Sequence, residues 1–249
     1  MRIIFLGTNG WYDTDTGNTV CILIRTNDYE IILDAGNGLY KLDRHIHGGI
    51  GKPAYLFLSH FHLDHIIGLH TLSKFSFPHG LGICGPIGTR DTLKIFVNDP
   101  FTASISRLPF SVSTYELPNE RNKLPFTVEA EELNHQSLTL GYRYEIEGKV
   151  ISYCPDTGFC ENAVHLARSS DLLIAECAYK SGQFSESWPH LNPETAARIA
   201  KEAGAGSLAL VHFDAEIYKT LAERKESEGV ARKIFENTFM TADDMEIDL

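Results

Sequence analysis

Short apolar runs bounded by Gly, Pro, Asn and Asp recur along the chain and predict strands, and the longer stretches with three- to four-residue apolar spacing predict helices. Arg2 to Gly7 reads as a strand ending in Gly-Thr-Asn-Gly. The polar loop Thr8 to Gly17 follows it and carries Trp11 and Tyr12, which either contact a substrate or cap the core. Asn18 to Arg25 and Glu30 to Leu33 read as a hairpin across Thr26-Asn27-Asp28. Leu33-Asp34-Ala35-Gly36 then sets a carboxylate at a strand end, ahead of a helix rich in Leu39, Leu42 and Ile46. Asp34 either caps that helix or orients a neighbouring ligand.

Tyr55 to Leu58 (YLFL) is apolar enough for a strand buried on both faces, and it leads into Ser59 to His65 (SHFHLDH). A helix is expected from about Ile66 to Phe75, a short strand over Leu81 to Cys84 and an amphipathic helix over Thr89 to Val97. Asn98 to Pro125, with four prolines and Phe101, Phe110 and Tyr115, is less regular and is a candidate pocket wall. Strands dominate next: Phe126 to Leu133, Ser137 to Ile146 and Lys149 to Tyr153, the last two joined by the turn Glu147-Gly148. A helix over Glu161 to Arg168 precedes the strand Leu172 to Ala175, which ends at Glu176. Asn192 and Pro193 read as the N-cap and first residue of a helix that stops at Gly204. Ser207 to Val211 is a strand ending at His212, a mixed-charge helix fills much of Ala215 to Glu236, and Thr241 to Leu249 closes the chain as a strand. Strand blocks at both ends, each followed by helices, predict an α/β fold with two mixed sheets face to face and helices outside, in one domain over 1–249.

Composition narrows the setting. No window approaches the roughly 18 apolar residues of a membrane span, and Met1 to Leu6 lacks the layout of a secretory signal, so a cytoplasmic protein is expected. The five cysteines, Cys21, Cys84, Cys154, Cys160 and Cys177, are odd in number and lie mostly in apolar runs, which suits buried thiols. A net charge of −11 argues against a large nucleic-acid surface. The richest basic stretch, Lys219 to Lys233, alternates with Glu223, Glu226 and Glu228 and reads as a solvated helix face.

Chemistry concentrates at strand ends. Polar groups crowded into SHFHLDH would each need a buried partner if they only packed a core, so a site is the economical reading. Spacing along the loop lets His60 and His62 face one ion and Asp64 and His65 a second. His135, Asp156, His190 and His212 lie at other strand ends and complete an inventory that suits a dinuclear centre, with Asp156 as candidate bridge. Imidazole nitrogen with some carboxylate favours Zn²⁺ and tolerates Mn²⁺ or Fe²⁺, whereas Ca²⁺ would want nearly all oxygen. His45, His47, His70, His79 and His165 lack such placement and read as structural or solvated.

With these residues in place, the chain resembles the metallo-β-lactamase superfamily, and within it the RNase Z-like branch that includes phosphodiesterases. The likeness runs from the Gly7-Thr8 opening through Leu33-Asp34-Ala35-Gly36, the HxHxDH run, His135, Asp156, Glu176, His190 and His212 to Asp243-Asp244-Met245. It implies a four-layer αββα sandwich and two metal ions, one on His60, His62 and His135, the other on Asp64, His65 and His212, bridged by Asp156. It also implies hydrolysis by a hydroxide formed at neutral pH, with Asp64 handling the water's proton and His190 assisting the leaving group or the phosphoryl oxygen. Glu176 is the candidate partner that sets the His190 tautomer. RNase Z carries a long arm between the positions matching His135 and Asp156, where this chain has only twenty residues, and usually Ser where Leu191 stands. The expected substrate is therefore a small or cyclic phosphodiester. tRNA 3′-end cleavage is the runner-up, carboxylic or thioester hydrolysis and a non-catalytic sensor remain alternatives, and a homodimer is an expectation from the resemblance alone.

Overall fold

The computed structural model describes residues 1–46 and 51–249. Its strands run in chain order as β1 Arg2–Gly7, β2 Asn9–Gly10, β3 Cys21–Arg25, β4 Glu30–Leu33, β5 Ala54–Phe57, β6 Leu81–Gly85, β7 Val112–Glu116 and β8 Thr127–Glu132. They continue as β9 Leu140–Ile146, β10 Lys149–Cys154, β11 Leu172–Glu176, β12 Leu208–Val211, β13 Phe213–Asp214, β14 Thr238–Met240 and β15 Met245–Asp248. The α-helices are α1 Leu63–Ile66, α2 Thr89–Phe96, α3 Glu161–Ala167, α4 Pro193–Ala203 and α5 Leu221–Ala231. One sheet has the order β15-β1-β3-β4-β5-β6-β7, the other β14-β12-β11-β10-β9-β8, and β2 pairs with β13 separately.

Three apolar clusters separate four layers. Alternate residues of one strand enter different clusters, as Ile3 and Phe5 face the second sheet while Ile4 and Leu6 face the helical layer holding Leu39, Leu69 and Leu93. On the far side Leu173, Leu208 and Leu210 pack against Leu166, Ile199 and Ala231 from α3, α4 and α5. Both faces of both sheets are thus covered, which is why the strands read as continuous apolar runs rather than alternating ones. The expected four-layer α/β sandwich is the observed architecture.

Strand direction positions the site. β4, β5, β6 and β7 run parallel in one sheet, and β10, β11 and β12 run parallel in the other. Asp34 and Ser59 follow the carboxyl ends of the first set, and Asp156, Glu176 and His212 lie at those of the second. Ligand sites in parallel α/β sheets occupy this end of the strands.

Several local expectations change. The helix after Asp34 is a 3₁₀ helix over Asn37–Arg44, and the one expected from Ile66 to Phe75 begins at Leu63 and continues from Ile67 as a 3₁₀ helix to Lys74. Asn98 to Pro125 supplies the edge strand β7, paired with β6, and none of its residues is in the cavity lining. The helix of the last third is shorter than Ala215 to Glu236, capped at Thr220 by a reciprocal bond with Glu223, and β14 follows where no strand was expected. His47 lies outside the described residues.

The reading of Lys219 to Lys233 as a solvated face fails at Arg224. This guanidinium is fully buried, donates to Thr8 Oγ1 at 2.8 Å, to Asn9 Oδ1 and to Thr16 Oγ1, and sits 4.6 Å above the Phe213 ring. Burial lowers its pKa to about 10, so it stays charged, and the nearby Asp243 carboxylate opposes the shift. Arg224 therefore anchors the loop after β1 to α5. Replacing it with Met should strand the Asn9 and Thr8 acceptors and lower stability by about 2–3 kcal/mol. Urea denaturation would register this as a lower midpoint at unchanged slope.

Candidate metal centre

Asp34 organises the approach to the site. It is fully buried in a left-handed conformation at φ 53°, and its side chain caps no helix. Its carboxylate accepts from the Ser59 backbone N–H at 2.7 Å, Ser59 Oγ at 2.9 Å, Tyr153 Oη at 2.7 Å and His65 Nδ1 at 2.9 Å. Of the two readings of Asp34, orientation of a neighbouring ligand is the observed one. A bond from Nδ1–H leaves His65 Nε2 as a lone-pair donor.

Around that ring donors converge: His60, His62, His135 and Asp156 form one group, Asp64, His65 and His212 a second, and Asp156, His190 and His212 an overlapping third, each with ligand atoms within 4.8 Å of one another. In the second group the His65 and His212 Nε2 atoms are 3.1 Å apart and lie 3.6 and 3.3 Å from Asp64 Oδ2. Asp156 joins the groups: Oδ1 is 3.1 Å from His65 Nε2 and 3.2 Å from His212 Nε2, while Oδ2 is 3.8 Å from His60 Nε2 and 3.9 Å from His135 Nε2. A tetrahedral ion with ligands about 2.0–2.1 Å away spaces them about 3.3 Å apart, which these separations bracket.

The chain's own atoms leave the cluster unsatisfied. His60 Nε2 and Asp156 Oδ1 are buried without a hydrogen-bond partner. Burial pushes the pKa of His60 well down and that of His135 to about 4, so both rings are neutral with lone pairs free. At His65 burial also lowers the pKa, but Asp156, Asp64 and Asp34 outweigh it and raise it well above normal. The cluster thus demands positive charge between its carboxylates and imidazoles. Divalent ions on a nitrogen-rich donor set answer that demand, so the residues fit the metals the sequence implied.

Neighbouring residues fix the remaining rings. Ser137 Oγ is 2.8 Å from His62 Nε2, which turns Nδ1 toward His135 Nε2 at 3.4 Å, and the Trp188 ring lies parallel to the His62 ring at 6.1 Å. Glu176 is fully buried, and its Oε1 accepts from the Thr157 N–H at 2.7 Å and from His190 Nδ1 at 2.6 Å. Burial works against a charged His190 ring, but the Glu176 carboxylate, with Asp156 and Asp214, raises its pKa to about 9. The Trp11 backbone N–H donates to Asp64 Oδ2 at 2.7 Å. Gly10 permits the approach of His212, because a Cβ there would lie 2.5 Å from the imidazole Cε1. A cavity of about 680 Å³ opens onto this cluster, lined among others by His62, Asp64, Asp156, His190 and His212.

All eight strand-end residues are therefore brought together, with Glu176 behind His190. Trp11 lines the cavity, whereas the Tyr12 hydroxyl pairs with Glu216. His45, His70, His79 and His165 lie outside these donor groups, and Cys21, Cys84, Cys154 and Cys177 are buried thiols while Cys160 is partly buried. Sequence reasoning counted Ser59 within the polar run but gave it no role of its own, and missed Ser137, Tyr153, Gly10 and Trp188; of these, Ser137 and Trp188 carry one signal, lying within two residues of a site histidine.

Comparison with known proteins agrees with this geometry. Residues 29–213 match the family model described as "Beta-lactamase superfamily domain". The chain is 28% identical over 218 residues to the "Probable metallo-hydrolase YhfI" of Bacillus subtilis, covering 86% of this chain and 87% of that one. It is also 28% identical to the "Ribonuclease Z" of Sulfolobus acidocaldarius, covering 96% and 95%. That alignment spans 286 positions against the 249 residues here, so the relative has stretches this chain lacks. The crystal structure of human tRNase Z, short form, superposes with a TM-score of 0.77 at 23% identity, covering 100% of this chain and 99% of that one. No described helix is long and apolar enough to cross a membrane.

Removing the Asp34 carboxylate should loosen His65 without touching a metal. Asp34→Ala is expected to weaken retention of bound metal by about 10–100-fold, read by elemental analysis after graded chelator dialysis.

Proposed function

The chain belongs to the metallo-β-lactamase superfamily and is a metal-dependent hydrolase, and within that family we propose that it is a dinuclear phosphodiesterase acting on small or cyclic phosphodiesters. The observation that carries this reading is the His190–Glu176 pair beside the first two donor groups. His60, His62 and His135 would hold one ion, Asp64, His65 and His212 the second, and Asp156 would bridge them. Zn²⁺ suits the donor set best. Bound there, the ions supply a water acidified to a pKa of about 7 and neutralise the charge on phosphoryl oxygens.

The chain's own groups account for the rest. Asp64, held by the Trp11 N–H, accepts or orients the attacking water's proton. His190 donates from the cavity side, because Glu176 holds its Nδ1 and leaves Nε2 for the substrate. Its raised pKa keeps it protonated at neutral pH, and two cations nearby would draw that value down from about 9 toward neutrality.

The resemblance to RNase Z favours a second reading, cleavage of precursor tRNA. The stretch between His135 and Asp156 argues against it, because it is filled by β9, the turn Glu147-Gly148 and β10, with no room for an arm. We take residues 1–249 as one domain on the continuity of the three apolar clusters.

Metal-loaded protein should hydrolyse bis(p-nitrophenyl) phosphate, lose that activity to a chelator and regain it with Zn²⁺ or Mn²⁺. Absence of metal-dependent turnover would sink the proposal, and cleavage of precursor tRNA at low salt would promote the second reading. His190→Ala should lower kcat by about 10²–10⁴ at unchanged metal content and abolish the decline of kcat on the basic side, where the wild-type ring loses its proton. An unaltered pH profile would remove His190 from the mechanism.

A further inference from the structure

The cavity walls differ sharply from its floor. Carboxylates and imidazoles form the floor, but Trp11, Leu63, Ala178, Tyr179 and Trp188 form much of the rest. Three of these are unusually open: Trp11 is 64% exposed, Leu63 63% and Trp188 45%. The whole chain contains two tryptophans, and both stand on this cavity. An indole left this open gains less from folding than a buried one, and it is the side chain best able to stack on a flat aromatic ligand.

The backbone at both tryptophans is pinned, and the Trp188 ring lies against His62. Trp11 occupies the left-handed region at φ 71°, a costly conformation for a residue with a Cβ, and its N–H is tied to Asp64 at 2.7 Å. Trp188 lies 6° from parallel with His62, its carbonyl accepts from Tyr179 Oη at 2.8 Å, and its N–H donates to Ser185 Oγ at 3.1 Å. A pinned backbone narrows where each ring can go and so lowers the ordering cost of binding.

Charge sets a second limit. Among the described residues no Lys or Arg lines the cavity, while Asp214 joins Asp64 and Asp156 there. Negative charge on a ligand can therefore be met only at the metal centre and His190. A second phosphate would lie against indole and carboxylate.

Resting on the phosphodiesterase reading, we propose that the substrate is a singly charged phosphodiester carrying a flat aromatic arm, of nucleobase or aryl type, which stacks on Trp11 and Trp188. The phosphoryl group goes to the floor and the ring to the wall. The lack of cations on the described walls disfavours polyphosphates, whose further phosphates would lie beyond the floor.

Three substrates sharing one leaving group test this: methyl p-nitrophenyl phosphate, phenyl p-nitrophenyl phosphate and thymidine 5′-(p-nitrophenyl phosphate). The metal-loaded full chain should show KM about tenfold or more lower for the two aromatic arms than for the methyl arm. A similar gain for phenyl and thymidyl marks recognition of a plain aromatic face, and a larger gain for thymidyl marks a nucleobase. Trp188→Ala and Trp11→Ala should each shrink the difference, and Trp188→Phe should restore part of it. Tryptophan emission, which can come only from these two residues, should change with methyl phenyl phosphate and stay constant with dimethyl phosphate. Turnover of all three substrates at one KM, or a preference that survives both alanine variants, overturns the aromatic arm and leaves the phosphodiesterase standing. No metal-dependent turnover of any of them removes both. The wild-type comparison decides the matter by itself if an alanine variant does not fold.

Discussion

A single buried carboxylate holds the two halves of the sandwich in register at the site. Asp34 leaves β4 in one sheet and accepts a bond from Tyr153 on β10 in the other, while also binding Ser59 and His65. A carboxylate at 0% exposure is tolerable only when donors compensate it, and here four do, one on Oδ1 and three on Oδ2. Tyr142 makes a parallel tie across the sheets, donating to the Leu58 carbonyl at 2.6 Å. The loop carrying His60 to His65 is thus clamped over the strand ends that deliver Asp156, Glu176 and His212.

A second set of ties closes the other side. Arg224 and Asp243 both reach the loop after β1, the first through Asn9 and Thr8, the second through Thr8 Oγ1 at 2.7 Å and the Asn18 N–H at 2.8 Å. Lys41 neutralises Asp243 at 2.6 Å in a largely buried pair. That loop gives Gly10, which makes room for His212, and Trp11, which steadies Asp64. The site therefore sits where two sheets, one loop and α5 are each pinned by a buried polar contact, and strain at Asp34, Trp11 and His212, all at positive φ, collects there.

Most of the donor set could be read along the chain because metal chemistry needs rare residue types at strand ends, and His60, His62, Asp64 and His65 fall within six positions. The strands were equally legible, since burial on both faces leaves apolar runs with sharp polar borders. Arg224 misled the reading of α5 because a helix rich in alternating charge looks solvated, and nothing local marks one cation as buried under the β1 loop. Ser137 and Trp188 escaped notice for a related reason. Their importance comes from lying against His62, which is distant from both in sequence.

The sequence by itself determined most of the element order, though not β7 or β14, together with the sandwich class and the identities of the eight residues that converge, because hydrophobic period and ligand chemistry are properties of residue type. Only the tertiary structure decided which donor atoms come within 4.8 Å of one another, that Asp34 orients His65 rather than capping a helix, and that Glu176 rather than solvent meets His190. Those outcomes depend on distances between strand ends that lie 14 to 148 residues apart along the chain. Such distances are set by how two sheets pack, and no local pattern carries them.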